Sequence, residues 1–484
     1  MNKREVSHWI GGRSVSSASG EWLESVDPDN GECLAKVARG TPDEVVAAVE
    51  AAEAMTTTLA ATGPSEREAW LLSAAERLDR EADSFREALI REIGSPLAKA
   101  NMEIGIAARL LRAHAGLARR SGGQTYRSDV PGRWSLGFRK PLGVVAGVTP
   151  FNVPLIKGVK AASAALATGN TFVWMPSDQA SLIAELVANL FHSAGVPSGA
   201  FNVVHGHGPE IGDTLVSHAA VKAVAFTGSQ RVGRHVQALC GQHGKRVTLE
   251  LGGSNPLIVL ADADLPSAVQ AAIKGGFIYQ GQICMSSSRV VVEEPLYEAF
   301  VDAFVAASEQ LGMGDLSDPT TMIGPIIHEH ARQSLTKCIE EASASGARVR
   351  CGNAWHGHRL APTVLTDVTP AMPIVRDEVF GPVVCVQRAA DGEDALRLAN
   401  DVPAMLTASV FTRDLELAMR YAERLQCAMV HVNDMTIQQE PEIPFGGDGA
   451  AGFGREGMET AIEDFTKWQW VTLRGGPPGG PRGG

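Results

Sequence analysis

The first stretch reads as strands and turns around Trp9 and Trp22, with Pro28, Asn30 and Gly31 marking a turn. Helical periodicity follows. Thr41-Pro42-Asp43-Glu44 forms a capping box with proline at the first helical position, and Ser65-Glu66-Arg67-Glu68 forms a second. Gly94 and Pro96 close that second helix and open a third, which runs to about Arg120. All three are expected to be solvated and amphipathic. From Gly143 the texture changes to short apolar runs rich in β-branched residues, alternating with helical segments. The runs are Gly143 to Val148, Thr171 to Met175, Ala200 to Val204 and Ala223 to Phe226; the helices between them end at Gly169, span Ser181 to Ala194, and open after Ser229. Continuous apolar strands joined by crossover helices predict a parallel sheet covered on both faces. The pattern resumes with Pro256 to Leu260, Arg289 to Val292, Val383 to Gln387, Ser409 to Phe411 and Met429 to Val432. The fold class is therefore α/β, with two parallel-sheet domains in tandem.

Two ribbons fit neither domain: Tyr126 to Lys140, broken by Pro131-Gly132, and Phe465 to Leu473, with Trp468 and Trp470. Isolated ribbons must pair with something. The tail, 475–484, is Gly/Pro-rich and expected to be disordered. A length of 484 residues exceeds what one core supports. A net charge of −12 offers no basic surface for nucleic acid or for anionic membranes. No apolar leader and no run of about 18 apolar residues is visible, so a cytoplasmic protein with no membrane partner is expected. None of the seven cysteines lies in a CxxC or with metal-ligand spacing, which predicts reduced thiols and no metal site.

Cys284 stands apart from the other six. It sits in Gln280-Gly281-Gln282-Ile283-Cys284-Met285-Ser286, beside small polar residues after an apolar helix, where an accessible nucleophile needs a cation or base to activate it. On those residues alone a buried structural thiol fits as well. Glu250, flanked by Leu249 and Leu251 before Gly252-Gly253, is an odd place for a charge; burial would raise its pKa into the range of a general base, whereas the plain alternative is a carboxylate pointing out of a strand end. Asn152, in Thr149-Pro150-Phe151-Asn152-Val153-Pro154, is held on a rigid turn at a strand's carboxyl end, placed either to donate to an oxyanion or to cap a helix.

Taken together, these features make the chain resemble the aldehyde dehydrogenase superfamily from about Trp9 to Val471. The motifs, in family order, are TPFN at Thr149 to Asn152, FTGS at Phe226 to Ser229, LELGG at Leu249 to Gly253, GQIC at Gly281 to Cys284, EVFGPV at Glu378 to Val383 and PFGG at Pro444 to Gly447. The resemblance implies Cys284 as nucleophile through a thiohemiacetal and a thioester, its own N–H and the Asn152 side chain as oxyanion donors, and Glu250 as the base that activates the deacylating water. It implies a cofactor site of Thr149, Pro150, Phe151, Met175, Ser177, Asp178, Gly228, Ser229, Leu251, Glu378 and Phe380. Within it Glu378 would hold the nicotinamide ribose, Phe380 would flank the nicotinamide, and the helix opened by Gly228 and Ser229 would face the pyrophosphate. The implied domains are a Rossmann-like NAD-binding unit (1–122 and 141–251), a catalytic unit (252–462), and a small β oligomerisation element (123–140 and 463–474). A homodimer or homotetramer follows from that last element.

One position departs from the family. Its usual strand-end lysine, which holds the adenosine ribose, is Met175 here, and methionine donates no hydrogen bond. Losing such a charge-assisted bond costs roughly 1.5–3 kcal/mol. Asp178 matches the acidic residue that binds ribose hydroxyls and repels a 2′-phosphate, which favours NAD with NADP possible. The retained Glu250 favours hydrolytic over CoA-acylating chemistry. The runs Val432 to Thr436, Pro444 to Gly447 and Phe465 to Val471 resemble the benzaldehyde, salicylaldehyde and vanillin dehydrogenase branch, so an apolar, aromatic aldehyde is the expected small-molecule substrate. Pocket candidates are Val153, Ile156, Ile283, Met285 and Phe445. Lys157, about 100° around the helix from Ile156, is expected to face away and so to disfavour carboxylate-bearing aldehydes. The alternatives are an aliphatic aldehyde substrate, or a cofactor-impaired family member with a binding role.

Overall fold

Strands that are apolar on both faces assemble into two sheets in a computed structural model that describes residues 4–474. The tail 475–484 lies outside the described residues. Both sheets are parallel in their interiors, as the continuous apolar runs require. Every residue of Thr171–Met175 and of Thr407–Phe411 is buried.

The eight-stranded sheet runs in the order Gly452–Phe453, Arg246–Leu251, Val221–Gly228, Val144–Val148, Thr171–Met175, Phe201–Val203, His8–Ile10 and Arg13–Val15. Its inner strands are parallel and its two edges antiparallel. From Val144–Val148 the chain steps outward through Thr171–Met175 to Phe201–Val203, then returns to build Val221–Gly228 and Arg246–Leu251 on the other side. That reversal is a topological switch point, where α/β sheets open a crevice at their carboxyl ends. The seven-stranded sheet has the order Arg348–Cys351, Thr363–Thr366, Val383–Ala389, Arg289–Glu293, Pro256–Val259, Thr407–Phe411 and Met429–Val432. Near its end the chain crosses back, adding the edge strand Gly452–Phe453 and the helix Met458–Phe465 to the first unit.

The two unassigned ribbons pair with each other. Thr466–Arg474 lies antiparallel along Arg133–Pro141, with Thr466 opposite Pro141 and Arg474 opposite Arg133, and Gly123–Tyr126 completes a three-stranded sheet.

The early helices depart from expectation in three ways. Thr41 is a capping box as predicted, with Glu44 accepting from the Thr41 N–H at 2.8 Å. The second box is not formed: Pro64 occupies the first turn behind a Gly63 cap, which places Ser65 inside the helix. That helix also divides at Glu81 into Pro64–Arg80 and Ala82–Ile93, a break no glycine or proline announces. Gly94 ends it in the left-handed region (φ +69°). The third helix, Leu97–Leu117, is not a solvated one; it buries Lys99, Glu103 and His114 against Pro154–Ala167, a helix buried along its whole length. Its charges are paired internally, which is why the burial is tolerated. Lys99 donates to Glu103 at 2.6 Å and to Ser95 at 3.0 Å, and His114 meets the Ser163 hydroxyl at 2.6 Å.

Candidate active site

The crevice at the switch point holds a cavity of about 420 Å³. One wall comes from the first sheet: Pro150, Phe151, Asn152 and Val153 follow Val144–Val148, Gly228 and Ser229 close Val221–Gly228, and Glu250 lies in Arg246–Leu251. The facing wall comes from the second unit, with Gln282 and Cys284, the loop Glu378, Val379 and Phe380, and the start of the helix Glu329–Ala344.

Cys284 is carried on a turn that its surroundings hold rigidly. Tyr279 (φ 51°), Gln280 (φ 44°) and Gly281 (φ 68°) are three successive left-handed residues, a conformation that persists only under strong constraint. The constraint is visible. The Tyr279 hydroxyl donates to the Ile93 carbonyl at 3.1 Å; the Gln280 amide donates to the Pro325 carbonyl at 2.8 Å and accepts from the Gly324 N–H at 3.1 Å. Beyond the thiol, Asn255 Nδ2 donates to the carbonyls of Cys284 (2.8 Å) and Ser286 (3.0 Å), while its Oδ1 accepts from the Leu406 and Thr407 N–H groups. Asn152 reaches the same turn, donating from Nδ2 to the Gln282 carbonyl at 2.9 Å. An amide nitrogen carries two N–H groups, so one remains for a substrate oxygen beside the thiol. The helix that follows Asn152 is capped from behind, where Glu103 Oε1 accepts from Leu155 N–H at 2.9 Å and from Ile156 N–H at 3.3 Å.

Burial sets the electrostatics. It pushes the Cys284 thiol up to about 12, with the Lys157 ammonium opposing that rise. Both Glu250 oxygens are buried and meet no hydrogen-bond donor among the described residues. Burial first, and the Glu456 carboxylate second, push Glu250 up to about 8. Burial alone raises Glu378 to about 8. Glu456 goes the other way: burial would raise it, but the ammoniums of Lys157 (2.7 Å) and Lys160 (2.9 Å) outweigh that and keep it ionised.

Of the residues expected from sequence, the cavity gathers Cys284, Glu250, Asn152, Pro150, Phe151, Val153, Gly228, Ser229, Glu378 and Phe380. Four pocket candidates, Ile156, Ile283, Met285 and Phe445, are buried and are not among the residues lining this cavity. For Ile156 the reason is helical phase. Val153 faces the cavity, and the residue four positions on, Lys157, shares its face, so Lys157 lines the wall and Ile156 turns inward. The expectation that Lys157 faces away is thereby overturned. Phe445 instead covers the ammoniums, with Lys160 Nζ 4.5 Å and Lys157 Nζ 5.3 Å from its ring centroid.

The remaining cofactor candidates lie outside this cavity. Thr149 is buried, its hydroxyl accepting from Trp174 Nε1 at 2.9 Å, and Leu251 belongs to the core. Met175 is buried in the same core, its methyl beside Gly212 in the helix Gly208–Ser217. Ser177 and Asp178 sit on the following loop, and Asp178 Oδ2 meets His207 Nδ1 at 2.8 Å. His207, Asn255 and Glu103 escaped the sequence reading. The signal for His207 was its place beyond the carboxyl end of the next strand, Phe201–Val203. The other two act from distant parts of the chain.

Fit to a dinucleotide is visible in the groove wall. A Cβ on Gly252 would collide with the Glu378 carboxylate, so only glycine lets that carboxylate approach the strand end. Ser229 caps the helix Gln230–Gln242, accepting from Val232 N–H at 3.4 Å and leaving the helix start at the cavity. The sequence profile of the Aldehyde dehydrogenase family matches residues 14–471. The chain belongs to that family. Aldehyde dehydrogenase relatives cover nearly the whole of it. Vanillin dehydrogenase of Corynebacterium glutamicum is 38% identical over 470 residues, 96% of this chain and 97% of its own. The NAD(+) benzaldehyde dehydrogenase of Pseudomonas putida is 37% identical over 464 residues, 94% of this chain and 95% of its own. Among solved structures, an NADP-dependent enzyme of E. coli superposes with a TM-score of 0.95 at 34% identity, covering 97% of this chain and 98% of that one. This aldehyde dehydrogenase is thus an oxidoreductase on the family's α/β fold. Among the described residues no helix is long and apolar enough to cross a membrane.

Proposed function

We propose that this enzyme oxidises an apolar, aromatic aldehyde to the carboxylic acid with NAD. The observation that carries the reading is the convergence of Cys284, Asn152 and Glu250 on one cavity walled by Phe151, Phe380 and Val153. The Cys284 thiolate attacks the formyl carbon, and the oxygen of the adduct takes its hydrogen bonds from Asn152 Nδ2 and the Cys284 N–H. When bound, the cofactor supplies the hydride acceptor. Glu378 and Phe380 would hold its ribose and nicotinamide, and the Ser229-capped helix start its pyrophosphate. Loss of the hydride leaves a thioester on Cys284. Glu250 then takes a proton from water, hydroxide equivalent adds to the thioester carbon, and the thiolate departs as the acid forms.

Aromatic preference rests on the apolar wall and on the vanillin and benzaldehyde relatives. The Lys157 ammonium faces this cavity, but Glu456 already pairs with it at 2.7 Å, so a substrate carboxylate would compete with a buried partner. NAD preference rests on Asp178, which a 2′-phosphate would confront. NADH or NADPH formation with benzaldehyde, hexanal and succinate semialdehyde tests both choices. Benzaldehyde with NAD should be turned over fastest, and turnover of no aldehyde would sink the assignment. Met175→Lys should lower the Michaelis constant for NAD by restoring a ribose donor; an unchanged value would mean that the ribose is held elsewhere, with His207 and Asp178 as the neighbouring polar pair.

We assign cofactor binding to the eight-stranded unit and the nucleophile to the seven-stranded one. The three-stranded sheet exposes Trp134, Phe138, Trp468 and Trp470, an apolar surface that supports a homodimer or homotetramer. Seven free cysteines support a reducing, cytoplasmic location.

A further inference from the structure

The cavity contains a charge that the proposed acyl chemistry leaves unused. Lys157 lines it together with Cys284, Asn152 and Glu250. Its Nζ is fixed by Glu456 at 2.7 Å, and behind that pair lies Lys160, 2.9 Å from the same carboxylate. Glu456 thus accounts for one of the three N–H donors of the Lys157 ammonium. The Phe445 ring screens the cluster on the core side, 5.3 Å from Lys157 Nζ. Two ammoniums therefore share one ionised carboxylate, and of the two only Lys157 lines the cavity that holds the thiol.

We propose that Lys157 is the fixed counter-charge that makes the Cys284 thiolate accessible, building on the reading of Cys284 as the nucleophile. The thiol releases its proton to solvent, while Lys157 keeps its own and stabilises the anion across the cavity; no bond to lysine forms. The groups facing the thiol bear this out. Burial is the largest influence against ionisation, and Glu378, Glu250 and Glu456 add to it, whereas Lys157, the strongest of the neighbouring charges, acts in favour. Burial also penalises the Lys157 cation, but Glu456, Glu250 and Cys284 together outweigh it and raise its pKa. Lys160, the other partner of Glu456, is shifted down by burial. Lys157 therefore keeps its charge in the cavity that holds the sulfur, and in a site of low dielectric one such charge moves a neighbouring equilibrium strongly.

The competing explanation is that Lys157 and Lys160 only hold Glu456 in the fold. Iodoacetamide alkylation of Cys284 in the full-length enzyme, followed peptide by peptide by mass spectrometry, separates the two. Lys157→Met should slow Cys284 alkylation at neutral pH by about tenfold, the effect of one pKa unit, and move the alkylation pH profile upward. Lys160→Met, which removes the other partner of Glu456, should stay within about twofold of wild type. A wild-type rate in Lys157→Met, or equal slowing in both variants, would overturn the proposal. If Lys157→Met does not fold, Lys157→Met/Glu456→Gln removes the pair without stranding a buried charge. That thiol should still react several-fold more slowly than wild type, and a wild-type rate there counts equally against the idea. Benzaldehyde turnover with NAD is read on the same wild-type sample: its absence would refute the functional assignment while leaving the alkylation comparison standing.

Discussion

Cys284→Ala is expected to abolish aldehyde oxidation, lowering kcat by about 10⁴-fold or more, as removal of an enzyme nucleophile does. Neither of its two proposed partners in the chemistry can replace it. Asn152 only donates hydrogen bonds, and Glu250 is a buried carboxyl with a raised pKa rather than a free nucleophile. The fold should survive, because alanine occupies less space than the partly buried thiol and the turn is held by Asn255, Gln280 and Asn152 through backbone atoms. The check is NADH formation with benzaldehyde beside an NADH-binding titration. Lost turnover with retained binding is the expected pair of results; measurable steady-state oxidation in the alanine variant would remove Cys284 from the mechanism.

Glu250→Gln should leave acylation working and stall release. The expected record is a burst of about one NADH per active site, then a steady state slower by about 10²–10⁴-fold, the usual contribution of a general base. Acyl-enzyme should be visible as added mass on the Cys284 peptide. A full steady-state rate would show that another group deacylates the enzyme. The pH dependence carries the same information with a definite sign. Burial raises Glu250 to about 8, so at neutral pH most of it is protonated and unable to accept a proton from water. The deacylation-limited rate of the wild type should therefore climb as pH rises toward about 8 and level off above it. The glutamine variant should lack that rise.

Motif order and local chemistry made the two sheets and the central trio legible from the chain alone. Val144–Val148 and Thr171–Met175 announce buried parallel strands because both faces are apolar, and Thr149 to Asn152 announces a rigid strand-end turn because prolines flank it. Those are local properties, set by neighbours in sequence. The substrate wall was not legible, and Ile156 against Lys157 shows why. Which residue of a helix faces the cavity depends on the phase fixed by packing against Leu97–Leu117 and by the Glu103 cap, both remote in sequence. A fully buried helix offers no polar face from which that phase can be read.

Ribbon pairing and charge placement were tertiary decisions as well. Arg133–Pro141 and Thr466–Arg474 are separated by most of the chain, so their register exists only once both units have folded. Sequence alone determined that this protein carries a cysteine, an asparagine and a glutamate suited to aldehyde oxidation on two α/β units. Tertiary structure decided that they share one cavity, that Met175 packs into the core, and that an ammonium, Lys157, lines the cavity of the thiol. The physical reason is that hydrophobic patterning acts between neighbours, whereas a buried charge needs a partner, and for Lys157 that partner, Glu456, comes from a distant segment.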